Sequence, residues 1–299
     1  ISRYEPHFSE SKFDTICETV LNEHFKTPNY HLTNSGTASL EIACLLIDLK
    51  PGDEVIIPSF TFSSTANALV LRGAVPVFVD VKPDTLNLDE SLVVKAITKK
   101  TKAIIAVHYA GIACNMKELT SIAKNYGLCL IEDAAQAFGS YYFGKPLGTL
   151  ADFGAISFHH TKNIHCEEGG LFFCKNSNYQ KQAAHVIEKG TNRTDLIQGK
   201  VTKYHWERLG SSYVLSTLQK AILASQLEEA EFITKSRKNI WNQYNQKLEK
   251  LEADGLISRP KIEPGSTVNG HIFYIILNKD ISREKVINQL NCKKIIATS

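Results

Sequence analysis

Leu128-Cys129-Leu130-Ile131-Glu132-Asp133-Ala134-Ala135-Gln136 is an apolar run that closes on a carboxylate, and a second such run, residues 155–159, leads into His160-Thr161-Lys162-Asn163. A strand that is apolar without interruption is buried on both faces, as happens in parallel sheets covered by helices. Its last residue then stands at the carboxyl edge, where α/β proteins bind their ligands. Asp133 and Lys162 both leave strands in this way.

Working outward, short β-branched runs at 55–58, 75–80, 103–108 and 171–174 alternate with helical periodicity at 37–49, 63–72, 88–98 and 116–126. Pro51-Gly52-Asp53, Arg72-Gly73 and Tyr126-Gly127 stop the helices where a strand should follow. This alternation predicts an α/β fold, a three-layer mostly parallel sheet with helices on both faces. Beyond Gly210 the pattern changes. Residues 215–251 are rich in Ala, Leu, Gln, Glu and Lys and free of Pro and Gly, which predicts one long linking helix or two abutting ones. Pro260, Pro264 and Gly265 then interrupt, and a strand at 271–277 with a helix at 283–290 begins a smaller α+β unit. The expected division is a large domain at 1–234 and a small C-terminal domain at 235–299. An opening without methionine, and an ending at 294–299 that reads as mid-strand, predict a chain cut at both ends.

With 299 residues, 43% of them hydrophobic, the chain can bury a sizeable core. A net charge of +3 without a long basic run points away from nucleic acid and anionic membranes. No apolar run approaches a membrane span, and no signal peptide opens the chain. Seven cysteines without a Cys-x-x-Cys pair indicate reduced thiols and a cytoplasmic enzyme.

Asp133 and Lys162 together suit pyridoxal phosphate chemistry. A lysine amine forms a Schiff base with the cofactor's aldehyde, and a carboxylate keeps the ring nitrogen protonated so that the ring acts as an electron sink. Taken singly, Asp133 is also a helix cap for Ala134-Ala135, and Lys162 a surface lysine. Gln136 could reach the phenolic oxygen. Ser35-Gly36-Thr37-Ala38 opens a helix with small residues, an ordinary capped start that also offers a phosphate its free N–H groups. His159, His160, His165 and Cys166 match no usual zinc spacing, so no metal is expected, and His159 and His160 on a strand would face opposite ways.

The motifs Ser35-Gly36-Thr37-Ala38-Ser39-Leu40, Pro51-Gly52-Asp53-Glu54-Val55-Ile56, Pro58-Ser59-Phe60-Thr61-Phe62, Phe78-Val79-Asp80-Val81, His108-Tyr109-Ala110-Gly111, Glu132-Asp133-Ala134-Ala135-Gln136 and residues 157–163 together resemble the DegT-type sugar-nucleotide aminotransferases. These are fold-type I pyridoxal phosphate enzymes, and the likeness runs from about Leu32 to Leu290. It implies Lys162 as Schiff-base lysine and proton carrier, Asp133 on the pyridinium and Gln136 on the phenolic oxygen. Ser157, Thr37 and the backbone of Gly36 and Ala38 would hold the phosphate, and Phe62 would lie against the ring, where plain core packing is the other reading. Related dehydratases carry a histidine in place of the lysine, so Lys162 argues for amino transfer. Glu188 to Arg193 and Gly210-Ser211-Ser212-Tyr213 resemble the branch that aminates dTDP-4-keto-6-deoxyglucose to dTDP-4-amino-4,6-dideoxygalactose with glutamate as donor. Members of the same family aminate 3-keto or UDP-linked sugars. The resemblance also implies a homodimer with shared active sites, with residues near Asn192, Arg193 and Ser212 serving the neighbour. Many relatives carry an asparagine where Ser211-Ser212 stand, on the partner's route to the phosphate.

Two other functions compete. A non-catalytic relative using the fold as a ligand sensor would not need both Lys162 and Asp133. A nicotinamide-dependent oxidoreductase would need a Gly-x-Gly-x-x-Gly after the first strand, and none is present.

Overall fold

The computed structural model describes residues 12–298. Five strands alternate with helices over its first half: α1 (Lys12–Phe25), β1 (Tyr30–Thr33), α2 (Gly36–Leu46), β2 (Glu54–Pro58), α3 (Ser63–Val70), β3 (Val75–Val79), α4 (Glu90–Ala96), β4 (Thr101–Val107), α5 (Met116–Tyr126) and β5 (Cys129–Asp133). A short hairpin, β6 (Tyr141–Tyr142) and β7 (Lys145–Pro146), precedes β8 (Phe153–Ser157), β9 (Gly170–Cys174) and α6 (Ser177–Ile187). The α5 helix illustrates how locally these elements are specified. Asn115 caps its start by accepting the Glu118 N–H, and Gly127 closes its end in the left-handed conformation at φ 65°.

The seven long strands form one sheet in the order β1-β9-β8-β5-β4-β2-β3. β3, β2, β4, β5 and β8 are mutually parallel, while β9 runs antiparallel to both of its neighbours. Successive residues of a strand point to opposite faces, and here both faces are apolar. Ile56, Ile104, Leu130, Ile156 and Leu171 join the core beneath α1, α5 and α8 (Thr217–Glu228), reached through α7 (Arg193–Ile197). Val55, Ile57, Ile105, Ile131, Phe153 and Phe172 join the core beneath α2, α3 and α6. The α/β three-layer architecture expected from the sequence is thus present.

The linking segment consists of two abutting helices, α8 and α9 (Ala230–Lys247), followed by α10 (Glu249–Ala253). Residue 235 lies inside α9. The remaining elements are β10 (Ile257–Ser258), β11 (Ser266–Thr267), β12 (Ile276–Leu277) and α11 (Arg283–Cys292). A third core, of Ala110, Ile112, Trp241 and Val268 with Ile272, Phe273 and Tyr274 against it, fastens this part to the loop after β4.

The structure corrects two strand expectations. The strand expected at 271–277 shrinks to Ile276–Leu277, because side chains take the backbone groups that a neighbouring strand would need: Asn269 Oδ1 accepts the His271 N–H and Trp241 Nε1 donates to the Ile272 carbonyl. At 294–299, residues 295–298 form no strand. Lys294 turns the chain at φ 61°, and among the described residues no strand pairs with 295–298.

Candidate active site

Sheet register gathers the site. Asp133 ends β5 with Val107 of β4 on one side and Ala155 of β8 on the other, while Ser157 lies opposite Gly170 and Gly170 opposite Thr33. The strand ends, with the first turns of α2 and α3, enclose a cavity of about 590 Å³. Of the residues singled out from the sequence, Gly36, Thr37, Phe62, Asp133, Gln136, Ser157 and Lys162 line it; Ala38 does not.

Asp133 is 5% exposed. Thr65 Oγ1 donates to its Oδ2 at 2.7 Å and the Ala135 N–H to its Oδ1 at 3.2 Å, so the carboxylate both caps the following turn and faces the cavity. Loss of water raises its pKa above the ordinary carboxylate value, and these two bonds with the charge of Lys162 offset that only in part. A carboxylate so placed gains most from a cation brought beside it. Lys162 has the complementary shift: burial pulls its amine below the ordinary 10.5, and Asp133 opposes the change. A lysine nearer its neutral form is the better nucleophile. Its backbone N–H donates to the His159 carbonyl at 2.8 Å, closing the turn that follows β8.

Gln136 Oε1 accepts the Ala110 N–H at 2.6 Å. A backbone N–H can only donate, so the amide oxygen is committed and the NH₂ is left for the cavity. Ala110 itself is held in the left-handed region, φ 55°.

At the cavity's other end Ser35 caps α2, its Oγ accepting the Ala38 N–H at 3.0 Å. That leaves the N–H groups of Gly36 and Thr37 at the positive end of the helix dipole. Gly36 lies so close to β8 that a Cβ there would stand 2.9 Å from Ser157 Cβ. Thr37 Oγ1 shares a hydrogen bond of 2.8 Å with Ser64 Oγ. Phe62, on the rim, is 75% exposed.

Three residues around the site have no role in the sequence reading. Thr65 reaches Asp133 from the first turn of α3. His108 and Glu132, both fully buried, pair at 2.9 Å, and Glu132 also accepts the N–H groups of Gly148, Leu150 and Ala151. The Cys114 N–H donates to His108 Nδ1, so the ring carries its proton on Nε2. Polar residues interrupting or ending apolar strands were the available signal. His159 and His160 lie beyond the end of β8 and do not face opposite ways; their rings are 3.9 Å apart. Asn192 spends its amide inside its own loop, on the Lys203 carbonyl and the His205 N–H.

The sequence profile of the DegT/DnrJ/EryC1/StrS aminotransferase family matches residues 8–299. The chain belongs to this family. It is 38% identical over 295 residues to the uncharacterized protein MJ1066 of Methanocaldococcus jannaschii, spanning 96% of this chain and 74% of that one. The structure of the aminotransferase from Psychrobacter cryohalolentis superposes with a TM-score of 0.89 at 26% identity, over 96% of this chain and 76% of that chain. The putative sugar aminotransferase Spr1654 from Streptococcus pneumoniae, in its PLP-form, gives 0.84 at 26% identity, over 96% and 76%; the same protein is also known in a PMP-form. As a member of the family this chain has the aminotransferase fold, and its cavity lies at the strand ends where α/β proteins bind ligands.

Proposed function

We propose that this chain transfers the amino group of glutamate to the keto carbon of a sugar nucleotide, with dTDP-4-keto-6-deoxyglucose as acceptor and dTDP-4-amino-4,6-dideoxygalactose as product. The observation that carries the reading is the meeting of Lys162 and Asp133 in one cavity that ends on the open first turn of α2.

The cofactor is pyridoxal phosphate, which when bound supplies an electron sink for breaking and remaking bonds at the amino-bearing carbon. The donor set fits it. The N–H groups of Gly36 and Thr37 with the hydroxyls of Thr37 and Ser157 suit a phosphate. The raised pKa of Asp133 is what a ring N–H cation would reverse, and the NH₂ of Gln136 is free to donate to a phenolate. Lys162 would anchor the cofactor through its amine, and the same amine, when free, would be the group that moves the proton during amino transfer. Phe62, on the rim, would lie against the ring.

The working unit is a homodimer with shared sites. Trp206 and Leu218, 78% and 74% exposed, offer apolar side chains to a partner surface. Residues near Asn192, Arg193 and Ser212 would serve the neighbour's site; within this chain Asn192 bonds inside its own loop and Arg193 pairs with Glu188 at 3.7 Å. No helix among the described residues is long and apolar enough to cross a membrane, and seven free cysteines suit a reducing compartment, the cytoplasm.

The test is to incubate the holoenzyme with glutamate and each keto sugar nucleotide in turn and to identify the amino sugar by NMR. Amination of dTDP-4-keto-6-deoxyglucose at C4 is expected; preference for a 3-keto or a UDP-linked sugar would overturn the substrate assignment.

A further inference from the structure

Asn269 belongs to the C-terminal part of the chain, 106 residues after Asn163 and 133 after Gln136, yet it is 1% exposed and every polar atom of its side chain is used. Its Nδ2 donates to the Gln136 carbonyl at 2.8 Å and to the Phe138 carbonyl at 2.9 Å, and its Oδ1 accepts the His271 N–H at 3.0 Å. Its own carbonyl accepts Asn163 Nδ2 at 3.1 Å. Asn163 Oδ1 in turn meets His271 Nδ1 at 3.0 Å. The polarity of this relay is fixed. Because a carbonyl can only accept, Asn163 presents its NH₂ to Asn269, its Oδ1 is an acceptor, and the His271 proton sits on Nδ1. Burial, with the charges of Lys162 and Arg237 nearby, holds the ring's pKa down at about 3, so this polarity persists at any working pH.

Three loops that carry cavity residues therefore converge on one asparagine. The loop after β4 bears Ala110, whose N–H holds Gln136 Oε1; the next residue, Gly111, is at φ 76°, and a Cβ there would strike Asn269 Oδ1. The loop after β5 bears Gln136, and the loop after β8 bears Lys162 beside Asn163. Asn163, Asn269 and His271 do not line the cavity.

We propose that His271, acting through Asn163 and together with Asn269, is a positioning residue that sets the register of the Lys162 loop against Gln136. The C-terminal part of the chain thereby determines where the amine stands. This rests on the reading of Lys162 as the cofactor's anchor.

The test uses the holoenzyme and three variants. Asparagine at 271 keeps an N–H donor near the place of Nδ1, whereas glutamine moves its donor toward the place of Nε2. His271→Ala and His271→Gln should slow the single-turnover half-reaction with glutamate roughly 10- to 100-fold, leave the half-saturating glutamate concentration within about threefold, and shift the pH midpoint of the Lys162-linked chromophore. His271→Asn should restore the rate to within about threefold of the parent. Should His271→Ala not fold, the Asn and Gln variants carry the comparison alone. Equal behaviour of those two, or a parent-like rate and midpoint in His271→Ala with only a lower melting temperature, would overturn the proposal. Borohydride reduction of the parent separates the two ideas. A label elsewhere than Lys162 overturns the anchor reading and this inference with it, while a label on Lys162 together with indistinguishable Asn and Gln variants overturns this inference alone.

Discussion

Lys162 and Asp133 each sit in an environment that disfavours the charge they would carry in water, and each opposes the other's shift. Borohydride reduction of the holoenzyme followed by peptide mapping is expected to label Lys162, and Lys162→Ala to keep the fold while losing amino transfer. In the cofactor-free protein the lowered amine pKa means that the rate of cofactor capture, followed by absorbance against pH, should reach half its maximum below 10.5; a midpoint at 10.5 or above would contradict the burial argument. Asp133→Asn should lower the half-reaction rate by on the order of 100-fold or more with cofactor saturated, since an amide cannot stabilise a protonated ring nitrogen, while cofactor affinity falls far less. Comparable activity in mutant and parent would reduce Asp133 to a turn cap. Thr65→Val removes a donor to a buried carboxylate and should cost about 1–3 kcal/mol. The sign with pH follows from the raised folded-state pKa of Asp133. The cost of holding the ion is absent at low pH, where the group is protonated folded and unfolded alike, and is complete above the folded pKa. The melting-temperature deficit of the cofactor-free variant should therefore grow from acid to alkaline pH, and a deficit independent of pH would show that the bond to the ion is not what was lost.

The first turn of α2 works only because it can lie against the end of β8. Gly36→Ala introduces a Cβ 2.9 Å from Ser157 Cβ, with backbone beside it at 3.2 Å. Either the helix start or the strand end must shift, and cofactor affinity measured by titration should fall roughly tenfold, ~1.4 kcal/mol, with the helix content unchanged. Elements governed by short-range chemistry could be read directly. The α5 helix spans Met116–Tyr126 as its cap, periodicity and Gly127 stop require, and the seam between α8 and α9 falls in a stretch where two abutting helices were one of two options. The segment at 271–277 could not be read this way. Its β-branched and aromatic residues are those of a strand, but His271 and Ile272 give their backbone groups to Asn269 and Trp241, partners no local pattern announces.

Across the whole molecule, exposed apolar side chains at Trp206 and Leu218 lie well away in sequence from the strand ends that line the cavity. Sedimentation is expected to show a dimer at micromolar concentration, and Trp206→Asp with Leu218→Asp to yield monomers whose transfer activity falls together with the dimer fraction; fully active monomers would exclude shared sites. The amino-acid sequence by itself determined the alternation of strands and helices, and the arrival of Asp133 at the end of one strand and of Lys162 in the turn after another. Both follow from periodicity, capping and stop residues within a few positions of one another. Only the tertiary structure decided that Ser157, Gly170 and Thr33 stand side by side, that Thr65 reaches across 68 residues to Asp133, and that Asn269 reaches across 106 to Asn163. Sheet register and buried hydrogen bonds between distant segments depend on how the layers close upon each other, and a polar residue announces that it needs a partner without announcing which one.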